Sequence, residues 1–93
     1  MDDSTVETQV KILFFAKARE LTGKKECYIT VPKKLSYNNL RDRVISQYKL
    51  EDIRDTLILA VNEEFVSSNA TLVLSEKDEI AVIPPLSGGL FYL

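Results

Sequence analysis

Histidine is absent from the 93 residues, cysteine occurs once, and glycine and proline occur three times each. Without histidine the chain lacks the usual protein ligand for a transition metal, and no metal site is expected. The single cysteine, Cys27, has no partner for an intrachain disulfide. Also missing is any apolar run near the roughly 20 residues that span a bilayer. Met1-Asp2-Asp3-Ser4 is acidic and polar, unlike a secretory signal, so the expected location is the cytosol, away from membranes. A basic stripe is lacking too. Twelve Lys and Arg against fourteen Asp and Glu leave a net charge of −2, which speaks against an electrostatic nucleic-acid binder. What remains is ordinary for a water-soluble domain, with 45% hydrophobic and 28% charged residues. The length suits one domain with one modest core.

The scarce prolines and glycines are not scattered. Pro84-Pro85-Leu86-Ser87-Gly88-Gly89 gathers two of each near the C-terminus, directly after the apolar, β-branched run Ile80-Ala81-Val82-Ile83. That run reads as a buried strand. The prolines end it, because neither donates a ladder hydrogen bond. Beyond them lies a slim segment with almost nothing to pack. A domain that launches such a tail from a core strand is presenting the tail to something.

The rest of the chain supplies the domain. Residues 1–8 are polar and aperiodic and read as a flexible tail, residues 9–85 as the domain, and residues 86–93 as the C-terminal tail. Val10 to Ala16 is a strand with Val10, Ile12 and Phe14 on one face and Lys11, Leu13 and Phe15 on the other. Lys17 to Thr22, closed by Gly23, suits one or two helical turns. Glu26 to Val31 alternates again, with Cys27, Ile29 and Val31 inward. The main helix starts at Ser36, whose hydroxyl suits a cap, and Leu35 before it can staple against Leu40. Leu40, Val44, Ile45 and Tyr48 form its apolar face. Leu57 to Val61 and Phe65-Val66 flank a polar turn at Asn62-Glu63-Glu64, a hairpin without the two-residue Asn-Gly signature. Thr71 to Leu74 and the last strand follow.

This pattern predicts an α+β fold, a mixed sheet of about five strands with one main helix on one face. A single helix leaves the other face partly open. The first and last strands are the most apolar and are expected side by side at the centre. Glu79 should then point outward with Lys11, carrying Ala81 and Ile83 outward beside Leu13 and Phe15. Those four would form an exposed apolar patch at the root of the glycine tail, the kind of patch that marks a binding surface.

Leu13-Phe14-Phe15-Ala16, Arg19-Glu20-Leu21-Thr22-Gly23, Val61-Asn62, Asp78-Glu79-Ile80-Ala81 and Pro84-Pro85-Leu86-Ser87-Gly88-Gly89 together resemble the small, sulfur-carrier subunits of molybdopterin synthase. These are ubiquitin-like β-grasp proteins, and the likeness covers about residues 9 to 89. The resemblance implies that Gly89, preceded by Gly88, is adenylated by a partner of the ubiquitin-activating type and then made a thiocarboxylate. It implies that the tail delivers sulfur to a cyclic pyranopterin phosphate in the large subunit, within a heterotetramer built on a large-subunit dimer. ATP and Mg would serve the activating partner, with no cofactor bound by the domain itself, which would be no enzyme alone. Leu13, Phe15, Arg19, Ile83, Pro84, Pro85, Leu86 and Ser87 are the partner-binding candidates. In the family pattern the tail ends at the second glycine, whereas Leu90-Phe91-Tyr92-Leu93 follow here, so a processing protease is expected. Two other readings stay open on the residues: a related carrier for thiamin, tRNA thiolation or protein modification, and a ubiquitin-like interaction module whose tail is never activated.

Overall fold

The computed structural model describes residues 6–84. In chain order these form β1 (Glu7–Phe14), α1 (Ala16–Thr22), β2 (Glu26–Pro32), β3 (Lys34–Ser36), α2 (Tyr37–Tyr48), a 3-10 turn (Glu51–Ile53), β4 (Ile58–Val61), β5 (Glu64–Phe65), β6 (Thr71–Val73) and β7 (Glu79–Ile83). Five strands make one mixed sheet in the order β2-β1-β7-β4-β5, and β3 pairs with β6 in a separate ribbon. The expected α+β architecture is the observed one. So is its centre: β1 and β7 lie side by side and parallel, with Lys11 opposite Glu79 and Leu13 opposite Ala81. Parallel neighbours need a long crossover, and here everything from α1 to β6 lies between them in sequence.

Alternation along β1 decides its two faces. Val10, Ile12 and Phe14 are buried, whereas Lys11 and Leu13 are half-buried. The inner face continues through Ile29 and Val31 of β2, Leu59 of β4, and Ile80 and Val82 of β7, all in one core with Leu40, Val44 and Ile45 of α2. Fully burying such a side chain is worth about 1.5–3 kcal/mol, so this single helix-on-sheet layer is the main source of stability. The helix begins where the sequence says it should. Ser36 has an extended backbone, and its Oγ accepts the Asn39 N–H at 3.0 Å. It stops at Lys49, in the left-handed region at φ 57°, whose N–H donates to the Ile45 carbonyl. Tyr37, buried at the start of α2, accepts the Leu59 N–H at 3.1 Å through its phenol oxygen. That bond ties the helix to β4.

Three details differ from the sequence expectation. Glu7 and Thr8, assigned to a polar tail, are paired in β1 with Pro32 and Val31, because an edge ladder satisfies backbone groups whatever the side chains. Thr71–Val73 joins β3 rather than the main sheet, and β3 itself is too short for a three-residue pattern to reveal. The β4–β5 hairpin is a two-residue turn after all. Val61 pairs with Glu64, and Asn62 and Glu63 hold φ of 51° and 69°, the sign pattern of a type I′ turn.

Candidate functional site

The outer face of the main sheet can be read row by row from the strand register. At the end where β1 and β7 begin, Lys11 is flanked by Tyr28 and Glu79. Its Nζ lies 3.8 Å from Glu79 and 3.9 Å from Glu26, exposed pairs that contribute little stability but make this end polar. One row further on, Glu26, Leu13, Ala81, Ala60 and Phe65 line up across all five strands. Past that row the face is apolar. Ile83 sits opposite Ile58, and Phe15, just past β1, donates its N–H to the Val82 carbonyl at 3.3 Å. Phe15 is 46% exposed, Ile58 44% and Phe65 71%, while Leu13, Ala81 and Ile83 are half-buried. Because β1 and β7 run parallel, the apolar end of the face is also the end from which the chain leaves β7.

Phe15 owes its exposure to the backbone on either side of it. Phe14, its neighbour, faces inward at 2% exposure and meets Tyr48 edge-on with ring centroids 5.0 Å apart. Phe15 continues the alternation with φ −121° and ψ 151° as the N-cap of α1. Ala16 then turns the chain sharply at φ 49°. The helix that follows keeps Phe15 engaged, since the Ala18 and Arg19 N–H groups both donate to its carbonyl. Arg19 is exposed one helical turn from Phe15, and Gly23 at φ 72° closes the helix.

The structure therefore brings Leu13, Phe15, Ala81 and Ile83 onto one face, with Arg19 on the adjoining helix. Pro84 is buried. Pro85, Leu86, Ser87, Gly88 and Gly89 lie outside the described residues. Ile58 and Phe65 join the face and were not singled out from the sequence. Their signal was the alternation of β4, but no spacing states which strand β4 will neighbour. Cys27 is half-buried against the core, and its thiol donates to the Tyr48 hydroxyl at 3.1 Å. Burial, then the Cys27 contact, pushes the Tyr48 phenol well above its ordinary range. No group of three His, Cys, Asp or Glu side chains that could hold a metal ion occurs among the described residues. No described helix is long and apolar enough to cross a membrane.

The described chain leaves β7 beside an open apolar sheet face, and comparison with known proteins gives the chain a family. The model of the ThiS family matches residues 12–89. The chain belongs to the ThiS family. Among ThiS-family relatives, the molybdopterin synthase sulfur carrier subunit of Drosophila erecta is 46% identical over 86% of this chain and 90% of its own length. Proteins of the same description from Homo sapiens and Arabidopsis thaliana are 42% and 36% identical, over 87% and 94% of this chain and 94% and 90% of theirs. Among solved structures, the ubiquitin-like fold recurs in SAMP1 from Haloferax volcanii, with TM-score 0.68, 20% identity, and coverage of 87% of this chain and 99% of that one. It recurs as well in a protein–protein complex of subunits 1 and 2 of the molybdopterin-converting factor from Helicobacter pylori. There the TM-score is 0.62 at 20% identity, over 88% and 100% of the two chains.

Proposed function

We propose that this ThiS-family chain is the sulfur-carrier subunit of molybdopterin synthase and acts in molybdenum cofactor biosynthesis. The observation that carries the reading is the identity of 36–47% with carrier subunits over at least 86% of the chain. The open apolar face beside the tail root supports it. In this reading Leu13, Phe15, Ile58, Phe65, Ala81 and Ile83 dock on the synthase's larger subunit. The tail from Pro85 to Gly89 then enters that subunit's active site. Four residue steps at about 3.3–3.6 Å each reach roughly 13–14 Å, enough to place a terminus in a site while the domain stays outside it. Arg19, Leu86 and Ser87 contact that subunit in this reading, and Pro84 is the last residue before the tail.

The chemistry belongs to the Gly89 carboxyl. A free carboxylate, with a pKa of about 3.5, is ionised at neutral pH and is a poor electrophile. An activating enzyme of the ubiquitin-activating type, using ATP and Mg, joins it to AMP as an acyl adenylate and releases pyrophosphate. Sulfur attacks the acyl carbon, AMP leaves, and a thiocarboxylate remains. That sulfur bonds to the cyclic pyranopterin phosphate, and water then cleaves the acyl carbon–sulfur bond, which returns Gly89 as a carboxylate. Gly88 and Gly89 suit the passage because a backbone without side chains threads a narrow channel and tolerates unusual φ and ψ. The carrier supplies no catalytic group of its own and works in the cytosol. Intact-mass measurement tests this directly. A chain ending at Gly89, incubated with the activating enzyme, ATP and a sulfur donor, should exchange one oxygen for sulfur at its terminal glycine. It should then lose that sulfur to the pyranopterin when the larger subunit is added. A chain that never gains sulfur is an interaction module instead.

A further inference from the structure

Asn62 does more than turn its hairpin. Its side chain leaves the β4–β5 turn and grips the start of β7 with both amide atoms. Oδ1 accepts the Glu79 N–H at 2.9 Å, and Nδ2 donates to the Asp78 carboxylate at 2.9 Å. Its own N–H donates to the Glu79 carbonyl at 2.8 Å. The other Asp78 oxygen accepts the Ser75 N–H at 2.8 Å, so the clasp runs from the hairpin turn through Asp78 into the loop before β7. The element it holds is weak without it. β5 is two residues long and pairs with β4 through Ala60–Phe65 and Val61–Glu64, too little for a ribbon to be stable alone. Phe65, 71% exposed, gains little from burial that would fix its place.

We infer that Asn62 is a positioning residue for the docking face: by clasping the hairpin turn to Asp78 and Glu79 it presents Phe65 in the same apolar row as Leu13 and Ala81. This rests on the docking reading above, and it assigns the clasp a role in binding beyond holding the hairpin. Asn62→Gly keeps a residue at ease with positive φ and removes only the side-chain clasp. Titration calorimetry against the larger synthase subunit should show affinity falling about tenfold, a typical cost of losing order at an anchor side chain. In a Phe65→Ala background the same change should cost less than about twofold, because coupled residues are non-additive. A polarity swap supplies the rescue. Asn62→Asp alone sets two carboxylates against each other and should weaken binding. Adding Asp78→Asn restores a donor–acceptor pair in reverse and should return affinity to within about twofold of the parent. Unchanged affinity in Asn62→Gly, an equal loss in both backgrounds, or no rescue by the swap overturns the clasp while leaving the docking face standing. Full affinity in Phe65→Ala overturns this inference and that part of the docking face together.

Discussion

Four described non-glycine residues hold positive φ: Ala16, Lys49, Asn62 and Glu63. All four lie where one element gives way to the next, and they differ in what the conformation costs them. Asn tolerates it, whereas a residue such as Glu brings its Cβ against the carbonyl at about 1–2 kcal/mol. Glu63→Gly should therefore stabilise the domain by about 0.5–1 kcal/mol once glycine's larger unfolded-state entropy is subtracted. The urea midpoint should rise with an unchanged m-value; a fall would give the Glu63 carboxylate a role that turn geometry does not explain. Nearby, Asp78 is held below the usual carboxylate range, first by the Asn62 amide and then by Ser75, against a smaller desolvation effect between them. A depressed folded pKa means stability that is present above the ordinary value of 3.8 and lost as pH falls through the folded one. Asp78→Asn, neutral at every pH, should thus be less stable than the parent near neutrality. The gap should narrow as pH falls below 3.8 in parallel denaturation curves. A constant gap would mean that the carboxylate charge contributes nothing.

Among elements, β1 shows how much a two-residue period can settle. Phe14 and Phe15 are chemically identical and adjacent, yet one is 2% and the other 46% exposed. Lys11 alone was enough to tell the faces apart in the sequence, since an unpaired ammonium is not buried. Substitution should separate the two roles. Phe14→Ala should cost about 3–5 kcal/mol of stability, as a buried aromatic truncation does. Phe15→Ala should cost less than about 1 kcal/mol in stability and about 2 kcal/mol or more in affinity for the larger subunit. Thermal melts and calorimetric titration check both, and an unchanged affinity would move the interface elsewhere. The helices were as legible, because Ser36 and Gly23 are terminal signals that act locally. What stayed hidden was non-local. That β4 would lie against β7, and so bring Ile58 opposite Ile83, depends on a register set by side chains 19 to 25 residues apart. β3 was hidden because Lys34-Leu35-Ser36 offers one buried side chain.

For the molecule as a whole, the decisive arrangement is that the strand leading to the tail is central. β7 has β1 on one side and β4 on the other, so whatever follows Ile83 departs from a strand paired on both sides. In the proposed reading, the apolar face sets the direction in which the larger subunit meets it. One chemical obstacle remains in the sequence. Leu90 follows Gly89, so the Gly89 carbonyl is an amide and has no carboxylate to join to AMP. Activation at a later residue would require Leu90, Phe91, Tyr92 and Leu93 to pass where two glycines suffice, and no rotamer change narrows an aromatic ring. The proposed carrier role therefore predicts that hydrolysis of the Gly89–Leu90 bond, with water adding across it, precedes adenylation. Offering the activating enzyme ATP with either the 93-residue chain or one ending at Gly89 should yield an acyl adenylate only from the shorter chain. The longer one should follow at the rate at which an added cell extract removes its last four residues. An adenylate formed equally fast on the uncleaved chain would show that the reactive carboxyl is not that of Gly89, and the sulfur-carrying role of that residue would fall with it.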